Sequence, residues 1–242
     1  EAGLMNTTGA TNVFIGADAG RANTTANHNT FVGTAAGAAT ATAGQNTFVG
    51  YHAGLQNTSI QNTFMGFNAG QANTGGAFNT FIGNLSGVSN NIGNQNTFIG
   101  DSSGMANTNG DANVFIGQGS GDANQSGNEN VFIGTDAGGA NTGGDRNVII
   151  GANAGLLSLA SDNIFIGHNA GKTNSIPNDN IFIGSGTGLN NDFGQFNVFM
   201  GSDAGAANVS GIYNVYIGFM SGNTSTGNNN TYLGKSTGQV NT

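Results

Sequence analysis

Few side chains in this 242-residue sequence are of the kinds that do chemistry, and their spacing argues against a reaction centre. The three histidines, His28, His52 and His168, follow no metal-ligand spacing and read as solvated turn residues. Gly167-His168-Asn169-Ala170-Gly171-Lys172-Thr173 approximates the phosphate-binding pattern G-x-x-x-x-G-K-[ST] but is one residue short of it. Asp18, Asp136 and Asp203 each stand two residues after a recurring glycine. Single carboxylates there admit an isolated Ca2+ in a turn, while the calcium-binding nonapeptide G-G-x-G-x-D-x-U-x is absent. The chain has no cysteine, which removes thiolate catalysis, disulfide frameworks and zinc-thiolate sites together. The reading is of a protein that is not an enzyme and has no resident cofactor.

Charge narrows the partners. The net charge is −8 and only four residues are basic, Arg21, Arg146, Lys172 and Lys235, all far apart. A phosphate-binding surface needs clustered Lys and Arg, so nucleic acid is excluded as a partner. No apolar run approaches the ~18 residues of a helical membrane span, so membrane insertion is not expected.

The side chains that recur do so as a ladder. Asn96-Thr97-Phe98-Ile99-Gly100, followed by Asp101-Ser102-Ser103-Gly104, is one of fourteen copies of a single pattern. The glycine that anchors each copy falls at Gly16, Gly33, Gly50, Gly66, Gly83, Gly100, Gly117, Gly134, Gly151, Gly167, Gly184, Gly201, Gly218 and Gly234, an interval of 17 residues with three of 16. A second glycine follows each anchor by four positions, and an Asn precedes it by four. A 17-residue period is too short for helix-pair repeats, which need roughly 33 residues or more. Each copy holds one run of β-branched, aromatic and aliphatic residues bounded by Gly and Asn, which reads as a short strand. The predicted fold is therefore all-β: a parallel β-solenoid, or β-roll, of about fourteen coils stacked at the ~4.8 Å strand spacing. The second glycine reads as a corner. The Asn-Thr pairs at Asn23-Thr24, Asn57-Thr58, Asn73-Thr74, Asn107-Thr108 and Asn141-Thr142 read as a second, weaker strand, followed by a return turn that contains the one proline, Pro177.

Alternation in the main strand puts Asn and the aromatic on one face. The candidate structural ladder is Asn12, Asn29, Asn46, Asn62, Asn79, Asn96, Asn113, Asn130 and their successors, with amides stacking on amides and satisfying nearby backbone. The aromatic ladder is Phe14, Phe31, Phe48, Phe64, Phe81, Phe98, Phe115, Phe132 and their successors, with Ile149 as the exception. It is either core or interchain. The opposite face carries a Thr, Val or Ile and an aliphatic. A strand apolar on both faces is buried on both, so lateral self-association is expected. Thr30, Thr47, Thr63, Thr80 and Thr97 form a hydroxyl-and-methyl ladder, with a second at Thr24, Thr58, Thr74, Thr108 and Thr142. Such ladders make an ice-binding solenoid the alternative function. Against it, the first ladder passes to Val and Ile from Val114 to Val215, which suits a packed surface. A functional-amyloid-like fibre subunit is a second alternative. Ala2-Gly3 and Asn6-Thr7 align with the interior of a coil, and the other end stops after Asn241-Thr242. With no polar cap at either end, residues 1–242 are expected to form one repeat domain internal to a longer fibre.

Asn-Thr/Val-Phe-Ile-Gly-x-x-Ala, as in Asn12 to Ala19, resembles the Ser-Val-Ala-Ile-Gly-x-x-Ser/Ala repeat of the YadA-like heads of trimeric autotransporter adhesins. It is closer still to the NTFIGxxAGxxNTxGxxNTFIG arrays of bacterial and phage tail-fibre-like surface proteins. The resemblance covers the whole chain. It implies a left-handed parallel β-roll, three chains side by side, and a place outside the cell, on a cell surface or on a virion. It also implies that Val13, Ile15 and their equivalents point into each roll while Phe14 and its equivalents face outward. The sequence departs from YadA-like heads in its longer period and its aromatic central residue. The function expected is a structural and adhesive fibre segment that self-associates, a trimer favoured, with host-surface or glycan contacts from variable turn residues such as Tyr51-His52, Phe67-Asn68 or Phe219-Met220.

Overall fold

A computed structural model describes residues 1–239, so the terminal Asn241-Thr242 pair lies outside the described residues. These residues are all-β with no helix, and they form a parallel β-solenoid with the expected period. They group into two compact units, residues 1–126 and the described residues from 127 onward. The first unit contains β1 (Val13–Ile15), β2 (Thr30–Val32), β3 (Thr47–Val49), β4 (Thr63–Met65), β5 (Thr80–Ile82), β6 (Thr97–Ile99) and β7 (Val114–Ile116). The second contains β8 (Val131–Ile133), β9 (Val148–Ile150), β10 (Ile164–Ile166), β11 (Ile181–Ile183), β12 (Val198–Met200), β13 (Val215–Ile217) and β14 (Thr231–Leu233). Within each unit consecutive strands pair in parallel and in register, so Phe81 lies on Phe98 and Phe182 on Phe199.

Each strand is only three residues long because the rest of the coil is a chain of tight turns. In the coil anchored at Gly100, three successive turns close through Ser103 N–H to Gly100 O (3.5 Å), Met105 N–H to Ser102 O (3.3 Å) and Asn107 N–H to Gly104 O (3.1 Å). The first two place a positive φ at their third residue, Ser102 (56°) and Gly104 (58°), as type II turns require. The two glycines answer different constraints. At Gly167, φ is +135°, and a Cβ would meet the carbonyl oxygen of Gly184 in the next coil at 2.5 Å. At Gly104, a Cβ would meet the Phe98 ring of its own coil at 2.5 Å. The second strand expected at the Asn-Thr pairs is not formed: those residues are bends or irregular. The left-handed residues just before them curl the chain too tightly for consecutive extended residues. Their backbone still bonds coil to coil, as in Thr108 N–H to Gln125 O at 2.9 Å.

The aromatic face is the interior. Phe31, Phe48, Phe64, Phe81, Phe98, Phe115 and, in the second unit, Phe132, Ile149, Phe165, Phe182, Phe199 and Tyr216 are all 0% exposed. Rings from Phe31 to Phe115 stack with centroids 4.8 Å apart and planes within 8° of parallel. The orientation implied by the resemblance, Val13 and Ile15 inward and Phe14 outward, is therefore reversed. Val13 and Ile15 are exposed and their equivalents half-buried or exposed. The physical reason is volume. A flat ring stacked at the coil spacing fills a layer that the Cβ-less second glycine leaves open, and the Asn beside it on the same face finds its partners only inside the coil.

Candidate functional site

Two buried Asn columns hold the coils together, and they work differently. In the predicted ladder, Asn12, Asn29, Asn46, Asn62, Asn79, Asn96, Asn113 and Asn130 all face inward. Their amides bridge to backbone more than they stack. Asn96 Oδ1 accepts the backbone N–H of Asn113 (2.9 Å), and its Nδ2 donates to the Gly110 carbonyl (2.7 Å). Asn130 repeats this with the N–H of Asn147 (2.9 Å) and the carbonyl of Gly144 (2.8 Å). The amide-on-amide stack belongs to the second Asn of each coil, where Asn90 Nδ2 donates to Asn73 Oδ1 (2.7 Å) and Asn107 Nδ2 to Asn90 Oδ1 (2.6 Å). The same amide closes its own return turn, Asn90 Nδ2 to Gly93 O at 3.0 Å. Proline fits that turn because its carbonyl is what the amides use: Pro177 O accepts from Asn174 (3.0 Å) and Asn163 (3.2 Å).

A further bridge had no place in the sequence reading. Side-chain oxygens two residues before the ladder Asn accept a backbone N–H from the previous coil: Asn94 takes that of Ala77 (2.9 Å), Asp111 that of Asn94 (2.6 Å) and Asp145 that of Asn128 (2.7 Å). The signal was the recurrence of Asn, Asp and Ser at that position. The candidate calcium residues Asp18, Asp136 and Asp203 sit singly at left-handed turn positions (φ 58°, 52° and 56°), where short polar side chains are tolerated. Among the described residues no three His, Cys, Asp or Glu come together as a metal site, no cleft is present, and no helix is long and apolar enough to cross a membrane. His28 and His168 are exposed and His52 half-buried. Gly167 to Thr173 is a strand end and two turns, with no helix to receive a phosphate.

What each unit offers to its surroundings is the outward face of its sheet. In every strand the first and third residues point out, and they are only Thr, Val, Ile, Met or Leu. The two Thr ladders differ in kind. Thr24, Thr58, Thr74 and Thr108 use their hydroxyls inside the chain, donating to the coil beyond, as Thr24 does to Ala41 O (3.2 Å) and Thr108 to Gln125 O (2.9 Å). Among the described residues the hydroxyls of Thr30, Thr47, Thr63, Thr80 and Thr97 make no hydrogen bond, and they face outward. The variable turns add exposed rings. Tyr51 stacks on Phe67 (5.4 Å) and on His52 (3.7 Å), Phe196 stacks on Tyr213 (5.0 Å), and the Lys235 ammonium lies 5.9 Å from the Phe219 ring. In the second unit Arg146 and Asp162 form a two-point ion pair between adjacent coils (2.7 and 2.9 Å). The pairing holds the Asp162 carboxyl below the ordinary carboxylate range. No family model matches this chain, and no curated protein and no solved structure matches it either.

Proposed function

We propose that the chain is a structural and adhesive segment of a surface fibre, carried outside a cell or on a virion, whose solenoids pack laterally against one another, as a trimer by the resemblance above. One observation carries the reading. The outward face of every strand is free of charge and mostly apolar, on a chain whose net charge is −8. Apolar rows of that extent exceed what a soluble monomer ordinarily leaves uncovered. Host-surface or glycan contacts would fall to the exposed turn residues, Tyr51-His52, Phe67-Asn68 and Phe219-Met220. Light scattering coupled to size exclusion tests the reading. The expected solution mass is a multiple of the 24.1 kDa chain, three-fold for the trimer, and a stable monomer at every concentration sinks lateral packing.

A second reading is favoured by the five free hydroxyls from Thr30 to Thr97. They stand on the outward face at the strand spacing beside Val32, Val49, Met65, Ile82 and Ile99, a regular array of hydroxyls and apolar groups able to order water. Thermal hysteresis in dilute solution would select this reading over the fibre. Its absence at millimolar protein would remove it.

A further inference from the structure

We infer that the face of the first unit around Met65 is the contact on which a second copy of this chain seats. The inference rests on the lateral-packing reading and names its anchors. Met65 interrupts the Val and Ile row of the outward face and is 44% exposed. Tyr51 and Phe67, on the turns that leave β3 and β4, are 47% and 50% exposed and stack with planes 9° apart. Ile60, entering β4, is 42% exposed, and Phe78, entering β5, is 53% exposed. All five belong to adjoining coils. Phe78 stands at the left-handed position (φ 61°) that precedes the ladder Asn in every coil, a position that polar residues such as Gln61 and Gln95 fill in neighbouring coils. Phe, Tyr and Met are the types enriched at the centres of protein interfaces.

Area and charge point to the occupant. Aromatic side chains bury ~150–250 Å² each, so three half-exposed rings present about 100 Å² apiece. With Met65 and Ile60 these five side chains of adjoining coils expose on the order of 450 Å², an area comparable to the surface patches that are often functional on a monomer. A stable interface buries about 800 Å² per partner, and the half-buried rows of β2 to β6 beside the patch supply the remainder. Copies that each carry −8 repel, except where charge is absent, and this face has none on its strands. A second copy brings the same uncharged face with the same axial repeat, so a contact that fits at one coil fits at the next. A partner of another architecture lacks that repeat.

The test uses the full chain in sedimentation velocity across a concentration series. Tyr51→Ser/Phe67→Ser/Phe78→Ser removes the rings from solvent-facing positions. Met65→Lys independently puts a charge at the centre. Phe193→Ser, at an exposed ring on a return turn of the other unit, is the control. Far-UV circular dichroism and melting confirm that each variant is folded. The expected result is self-association of the unaltered chain and of Phe193→Ser, with the triple variant and Met65→Lys weaker by at least about 100-fold. If the unaltered chain associates and both patch variants associate equally well, this inference falls and lateral packing stands. If the unaltered chain is monomeric throughout, lateral packing falls and takes this inference with it.

Discussion

At the scale of single residues, the fold depends on how often the backbone turns left-handed. A coil such as that of Gly100 has four positive-φ residues, Gln95 (58°), Gly100 (139°), Ser102 (56°) and Gly104 (58°). The two glycines were legible in the sequence because they recur without exception. The other two positions were not. The residue before the ladder Asn is filled by types as different as Gln95, Arg146 and Tyr213, so composition gives no hint of its φ. The position two beyond the anchor did hold a signal, since Asp18, Asn68, Gly119, Asp136, Asn153, Asn169, Gly186 and Asp203 are the residues that tolerate this conformation. Ala35 sits at the same position with φ 55° and no side-chain group to compensate. Ala35→Gly, which reproduces Gly119 and Gly186, is expected to stabilise the protein by about 1 kcal/mol. Thermal denaturation measures it, and an unchanged or lowered melting temperature would show that the left-handed turn costs nothing here.

At the scale of the coil, the strand and its Asn were readable because β-branched, aromatic and glycine residues alternate at fixed spacing. The division of labour between the two Asn columns was not readable. Both are Asn, and only the geometry shows that one bridges to backbone while the other stacks amide on amide. Breaks in the second column are informative. Ser225 replaces Asn where Tyr216 replaces Phe, and the phenol donates to the Ser225 hydroxyl at 3.0 Å, so the shorter side chain makes room for the longer ring. Ser158 has no such excuse. It is 0% exposed, its hydroxyl finds no partner, and the ring position of its own coil is the smaller Ile149. Asn57 occupies the same place in another shortened coil and closes its turn onto Ser59 O at 2.6 Å. Ser158→Asn is therefore expected to add about 1 kcal/mol by pairing polar groups already buried. Chemical denaturation would report it as a raised midpoint, and a lowered midpoint would mean that the coil around Ile149 has already closed over the space.

At the scale of the whole molecule, the inward face could not be read from the sequence because both strand faces are apolar. The invariant Asn and the Cβ-less second glycine on the aromatic side were the available clue. That choice has a consequence for proton linkage. The buried polar side chains are Asn, Ser, Thr and the Tyr216 phenol, with no carboxylate, ammonium, guanidinium or imidazole buried among the described residues. Amides do not titrate, so the range of constant stability is bounded by Asp162 on the acid side, with Asp18 held low in the same sense by its hydrogen bond from the N-terminal ammonium, and by Tyr216 on the alkaline side. The Arg146 hydrogen bond depresses the Asp162 carboxyl, so its contribution is present above the unfolded value of about 3.9 and is lost as pH falls through the lower folded value. Burial raises the Tyr216 phenol, so its contribution is full below the unfolded value of about 10 and is lost as pH rises through the higher folded value. The melting temperature is expected to stay flat from about pH 5 to 9, since both transitions lie outside that window. The proposed self-association is expected to behave differently over the same range. It strengthens as pH falls toward the isoelectric point near 4.3 and as salt screens the net charge of −8, because the contact face itself carries no charge to lose. Melting and sedimentation run on the same samples separate the two effects. A steep slope in the melting temperature near neutral pH would sink the account of an interior held by amides, and association unchanged by salt would sink the account of an uncharged face on a repelling chain.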